Sequence, residues 1–127
     1  MTDRKRMIAV VDDDARLLES LEDLFESAGY LVRKFSSAKL LTDQGLAGVD
    51  CLITDIGMPG IDGFALRDLV KKDRPDLPVF MITGRHEIGD QQRATSSDIS
   101  GFFRKPFDGP ALLSAVDNAL RAHRGKK

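Results

Sequence analysis

The chain is 127 residues long, 42% hydrophobic and 31% charged, the make-up of one ordinary globular domain able to bury a core. Its 19 Lys and Arg nearly balance 20 Asp and Glu, and the formal net charge of -1 gives no electrostatic reason to expect nucleic acid or an anionic membrane as partner. The one cysteine excludes an internal disulfide and is in keeping with a reducing compartment.

Arg4-Lys5-Arg6 makes a basic start, but the apolar run behind it, Met7-Ile8-Ala9-Val10-Val11, stops at three aspartates. That is too short for a secretory segment and far too short to cross a bilayer, so a cytoplasmic location is expected. The same run reads as the first strand. Leu17, Leu18, Leu21, Leu24, Phe25 and Ala28 follow at helical spacing, with Gly29 as a stop. Tyr30 to Lys34 reads as a second, weaker strand, and a short helix is expected to open near Ser36 or Ser37.

Cys51-Leu52-Ile53-Thr54 reads as the third strand and ends at Asp55. Beyond the turn Gly57-Met58-Pro59-Gly60, Asp62 can cap a helix carrying Phe64, Leu66, Leu69 and Val70. Pro78 to Ile82 is the fourth strand and Gly101 to Phe103 the fifth, after which Asp108 caps a last helix with Leu112, Leu113, Val116, Ala119 and Leu120. Between Gly84 and Ser100 only Ile88, Ala94 and Ile99 are clearly apolar, and Thr95 to Asp98 are weak helix formers. A helix there is weakly encoded, and residues 85–98 are expected to be mobile or irregular.

Five apolar strands alternating with helices predict an α/β fold with a doubly wound parallel sheet, its strands covered on both faces. No internal repeat or low-complexity linker interrupts the chain. A single domain is expected, with a core over about 7–122 and flexible ends at 1–6 and 123–127.

The polar landmarks stand at strand ends. Asp12 and Asp13 follow the first strand, Asp55 the third, Thr83 the fourth and Lys105 the fifth. Parallel strands put all their carboxyl ends on one edge, where open α/β proteins build their sites. Three carboxylates gathered there repel one another unless a cation joins them, and hard oxygen donors suit Mg²⁺. A carboxylate is also a nucleophile able to form an aspartyl phosphate. The transferring phosphoryl oxygens would then need a cation such as Lys105 and a hydrogen-bond donor such as Thr83.

Val10-Val11-Asp12-Asp13-Asp14, Thr54 to Gly63, Ile82-Thr83-Gly84 and Lys105-Pro106-Phe107, in that order and at these spacings, resemble the receiver domain of two-component response regulators over roughly residues 7–122. The resemblance implies a flavodoxin-like sheet of order 2-1-3-4-5. It implies Asp55 as phosphoacceptor, and Mg²⁺ held by Asp12, Asp13, Asp55 and the backbone carbonyl of Gly57. It implies Thr83 and Lys105 on the phosphoryl group, Phe102 at the place of an aromatic switch, and a cis peptide at Lys105-Pro106. Such a domain is not an enzyme beyond its own phosphorylation and dephosphorylation. Its implied partners are a sensor histidine kinase or phosphotransfer protein and a downstream effector domain or target. A phosphorylation-dependent dimer would use the helix between the fourth and fifth strands, the fifth strand and the last helix.

Plainer readings stand beside these. Asp13 or Asp14 can simply cap a helix, Asp55 can form a turn, and Lys105 can be a solvated surface lysine. Phe102 and Phe103 can both be core, Cys51 a small buried apolar residue, and His86 and His123 have no partners at metal-ligand spacing. The glycines of 57–63 lack the ending of a phosphate-binding P-loop. Asp12-x-Asp14 also fits a phosphohydrolase of the haloacid-dehalogenase type, but Arg16 and the lack of a late acidic motif oppose it. An interaction module worked without phosphate is opposed by the intact acceptor set. Thr95 to Ser100 depart from the small apolar residues common there in receivers, and Arg85 and Gly57 occupy positions that vary in the family.

Overall fold

The computed structural model describes residues 5–57, 60–84 and 99–125, the last four of these by backbone alone. The elements are β1 (Met7–Val11), α1 (Ala15–Ser27), β2 (Leu31–Phe35), α2 (Ala38–Gln44), β3 (Cys51–Asp55), α3 (Gly63–Asp73), β4 (Val79–Thr83), β5 (Gly101–Arg104) and a C-terminal helix, here α4 (Gly109–Gly125). The strands are all parallel and form one sheet of order β2-β1-β3-β4-β5.

Alternate residues of each strand serve opposite faces, and two large apolar clusters result, with a smaller one of Ile56, Phe64 and Met81. Ile8, Val10, Cys51, Ile53, Phe80 and Ile82 meet Leu18, Leu21 and Phe25 of α1 and Leu112, Val116 and Leu120 of α4. On the other face Ala9, Val11, Leu52 and Val79 meet Ala38 and Leu41 of α2 and Leu66 and Val70 of α3. The central strands β3 and β4 are buried along their whole length, which is why they read as unbroken apolar runs. Edge strand β2 is half-exposed and correspondingly polar. Cys51 is a free, fully buried thiol, pushed well above its ordinary pKa by burial.

Local chemistry sets the boundaries. Asp14, Ser37 and Asp62 cap α1, α2 and α3, accepting the amides of Arg16 (3.0 Å), Leu40 (3.2 Å) and Ala65 (2.8 Å). Gly29, with φ +95°, takes the left-handed turn after α1 that other residues avoid. β2 starts one residue later than its composition predicts, because the Tyr30 amide is taken by the Phe25 carbonyl at 3.0 Å. Likewise β4 starts at Val79, since Pro78 brings no amide and contributes only its carbonyl, to Leu52 at 3.0 Å. Of the flexible end expected at 123–127, residues as far as Gly125 are helical; Ala122 and Arg124 are good helix formers, and Gly125 is not. The expectations for the helix between the fourth and fifth strands, for residues 85–98 and for Arg85 lie outside the described residues. Among the described residues no helix is long and apolar enough to cross a membrane.

Candidate functional site

The sheet brings together the strand-end residues. Asp12 leaves β1 with its amide donated to the Phe35 carbonyl at 3.1 Å, so it stays in line with the sheet and is fully buried. Its Oδ1 accepts the Asp14 amide at 2.9 Å, an Asx turn that swings Asp13 outward while Asp14 caps α1. Asp13 is exposed. Asp55 closes β3 with 6% of its surface exposed. Single carboxylate oxygens of Asp12, Asp13 and Asp55 all lie within 4.8 Å of one another.

Lys105 reaches in from the end of β5. Its Nζ lies 2.9 Å from Asp12 Oδ2 and 3.7 Å from Asp55 Oδ1. Its amide donates to the Thr83 carbonyl at 2.7 Å, and the Lys105-Pro106 peptide is cis. Thr83 is fully buried at the end of β4. In the register Met81 faces Phe102 and Ile82 faces Phe103, so the two aromatic rings lie on opposite faces of the sheet. Phe103 packs against Phe80, ring centroids 6.5 Å apart. Phe102 packs against a small cluster of Ile56, Phe64 and Met81 behind the acidic pocket. Both rings are thus partly buried, and only Phe102 is on the face that carries Thr83.

Electrostatics at this edge are unbalanced toward negative charge. Burial pushes the Asp55 carboxyl above the usual carboxylate range and the Asp12 charge pushes it further; Lys105 and the Gly57 N–H bonded to it pull the other way without prevailing. Burial works against the Lys105 ammonium, but its hydrogen bond to Asp12 and the charges of Asp12, Asp55 and Asp14 hold its pKa above the ordinary value. Three oxygen donors, one partly compensating lysine and a raised Asp55 make a pocket that gains from a further cation. The three carboxylates could together hold a metal ion, and such hard oxygen donors suit a divalent cation.

The sequence brings Asp12, Asp13, Asp55, Thr83 and Lys105 to one edge, as the structure does; Met58 and Pro59 of the neighbouring turn lie outside the described residues. Two participants were not legible. The Asp14 amide on Asp12 is signalled only by the Asp-x-Asp spacing, and the close approach of Gly63 to the Asp55 carbonyl, 2.6 Å from where a Cβ would stand, has no signal beyond a glycine at the helix start.

An open parallel α/β sheet with an acid triplet and a lysine at its carboxyl edge defines the class to which this protein conforms. Residues 8–117 match the response regulator receiver domain, and the chain belongs to that family, the signalling domain of two-component response regulators. It is 35% identical over 122 residues to the response regulator protein TodT of Pseudomonas putida, covering 95% of this chain and 54% of TodT. It is 33% identical over 119 residues to the transcriptional regulatory protein FixJ of Bradyrhizobium diazoefficiens, covering 92% of this chain and 58% of FixJ. It therefore spans about half the length of these relatives. A response regulator receiver domain protein from Clostridium thermocellum superposes with a TM-score of 0.85 at 26% identity, covering 94% of this chain and 97% of that one.

Proposed function

We propose that this domain is a phosphoacceptor switch in which Asp55 takes a phosphoryl group from a phosphohistidine of a sensor histidine kinase or phosphotransfer protein. The observation that carries this reading is the Asp55 carboxylate, almost buried, at the carboxyl edge of the sheet beside two further carboxylates and 3.7 Å from a lysine ammonium. Family membership and the relatives named response regulators support it.

Asp12, Asp13 and Asp55, with the Gly57 carbonyl, are the groups that would hold Mg²⁺. When bound, Mg²⁺ supplies charge neutralisation for the carboxylates and for the phosphoryl oxygens. An Asp55 oxygen attacks phosphorus, the P–N bond to the donor imidazole breaks, and the nitrogen keeps that electron pair and takes a proton from solvent. Lys105, now on Asp12, is within reach of the arriving phosphoryl oxygens, and the Thr83 hydroxyl donates a hydrogen bond to one of them. Thr83 moves toward the new group and Phe102 follows into the space it leaves. The changed surface then alters binding of an effector domain or target protein, or pairs two copies of the domain. These events take place in the cytoplasm, where the free thiol of Cys51 persists. The domain works without touching nucleic acid or membrane itself.

Acetyl phosphate with Mg²⁺, followed promptly by intact mass, tests the acceptor. One added phosphoryl group is expected, absent without Mg²⁺ and absent in Asp55→Asn. An unmodified protein that also fails to bind beryllofluoride would sink the reading.

A further inference from the structure

Gly63 opens α3 with a backbone that any residue can adopt: the left-handed glycines among the described residues are Gly29, Gly45, Gly48 and Gly60, and Gly63 is not one of them. Its reason for being glycine is therefore space. A Cβ built there would stand 2.6 Å from the Asp55 carbonyl oxygen, 2.9 Å from Ile56 Cα and 3.2 Å from the Asp55 carbonyl carbon. A carbon in contact with a carbonyl oxygen normally sits at about 3.3 Å or beyond, so a methyl group needs a shift of roughly 0.7 Å. The neighbours are backbone and cannot rotate away. Ile56 is held from both sides, its amide donating to Ile82 O at 3.0 Å and its carbonyl accepting the Gly63 amide at 3.0 Å. The helix start is fixed in turn by Asp62, whose Oδ1 accepts the Ala65 amide.

We propose that Gly63 is a positioning residue for Asp55: its bare Cα lets the first turn of α3 rest directly on the Asp55–Ile56 peptide and fixes where the Asp55 carboxylate stands among Asp12, Asp13 and Lys105. The inference rests on the proposed role of Asp55. Mg²⁺ accepts little departure from ideal geometry, and misplacement by about 1 Å can cost on the order of 10²-fold in rate. A side chain at position 63 should thus be felt first in metal binding and phosphoryl uptake.

Gly101 supplies the control. A Cβ there would be about as crowded, 2.8 Å and 2.9 Å from the Phe80 ring, but it meets a side-chain ring rather than the Asp55–Ile56 backbone, level with Ile53 and two strands away from β3. The test compares wild type, Gly63→Ala and Gly101→Ala by thermal melting, by Mg²⁺ titration followed through the amide shifts of Asp13 and Lys105, and by acetyl phosphate uptake. Both variants should melt lower. Only Gly63→Ala should raise the Mg²⁺ midpoint, by about tenfold or more, and slow uptake by about 10- to 100-fold. A wild-type midpoint in Gly63→Ala, or an equal change in Gly101→Ala, overturns the inference. Wild type that neither binds Mg²⁺ nor takes a phosphoryl group would instead overturn the functional reading beneath it. If Gly63→Ala does not fold, exchange of the Gly63 amide in wild type decides. Saturating Mg²⁺ should slow that exchange about tenfold if the seat and the metal site are linked, and unchanged exchange overturns the proposal.

Discussion

At Asp55 two demands oppose each other. Burial and the Asp12 carboxylate favour the protonated acid, whereas attack on phosphorus requires the carboxylate. A carboxyl whose folded pKa is raised adds stability below its unfolded value, about 3.9, and loses it as pH climbs through the raised value. Near neutral pH the ionised side chain thus burdens the metal-free protein. Asp55→Asn, similar in shape and uncharged, is expected to melt above wild type at pH 7 without divalent metal. Its advantage should shrink as pH falls toward 4. Mg²⁺ at 100 times its dissociation constant should stabilise wild type by about 2.7 kcal/mol and the variant by less, closing the gap. Melting curves at several pH values with and without Mg²⁺ check this, and coincident metal-free curves at pH 7 would refute it. The acid triplet, Thr83 and Lys105 could be picked out from sequence because each ends an apolar run, and parallel topology brings such ends together. The pairing of Lys105 with Asp12 at 2.9 Å rather than with Asp55 could not, since it depends on side-chain reach across the edge.

Elements are held together by contacts that local pattern does not announce. The Tyr30 hydroxyl, just before β2, donates to Asp117 on α4, 87 residues away, while its ring meets Phe25 edge-on at 5.8 Å and 71°. Arg74, just past α3, donates to the carbonyls of Leu46 (3.1 Å) and Val49 (2.9 Å) and so ties the loop before β3. Both look like ordinary half-polar residues in sequence, whereas the capping aspartates and the helical spacing of α1 are local and could be read directly. Tyr30→Phe removes the hydrogen bond and keeps the ring. Bonds to charged groups are worth about 1.5–3 kcal/mol; partial exposure of this pair puts the expected loss near the lower figure. Burial first, then Asp117, raises the phenol's pKa, so the difference between the two proteins should hold below about pH 10 and diminish as pH rises further. Urea unfolding at pH 7 and above pH 10 measures it. The pair lies at the amino edge of the sheet, so the Mg²⁺ midpoint should be unchanged.

For the molecule as a whole, the question is whether a group on Asp55 can move a surface formed by β5 and its neighbours. Thr83 and Met81 share one face of β4, and Phe102 stands opposite Met81 on β5, packed against Ile56, Phe64 and Met81. A pull on Thr83 therefore acts within a small apolar cluster that includes the ring to be moved. Two hydrogen bonds to the phosphoryl group, from Thr83 and Lys105, are worth about 3–6 kcal/mol if made only in the active state. Carrying a population from 1:99 to 99:1 takes about 5.5 kcal/mol, so the local contacts suffice only toward the upper end of that range. Thr83→Ala leaves one bond, about 1.5–3 kcal/mol. From the same 1:99 start, that raises the active fraction only to between roughly 10% and 60%. With beryllofluoride saturating the site, the amide resonances of Phe102 and Phe103 in Thr83→Ala should lie between the free and the fully activated wild-type positions. Resonances that reach the activated position would mean that the signal leaves Asp55 by another route, through Lys105 and the β5 backbone alone.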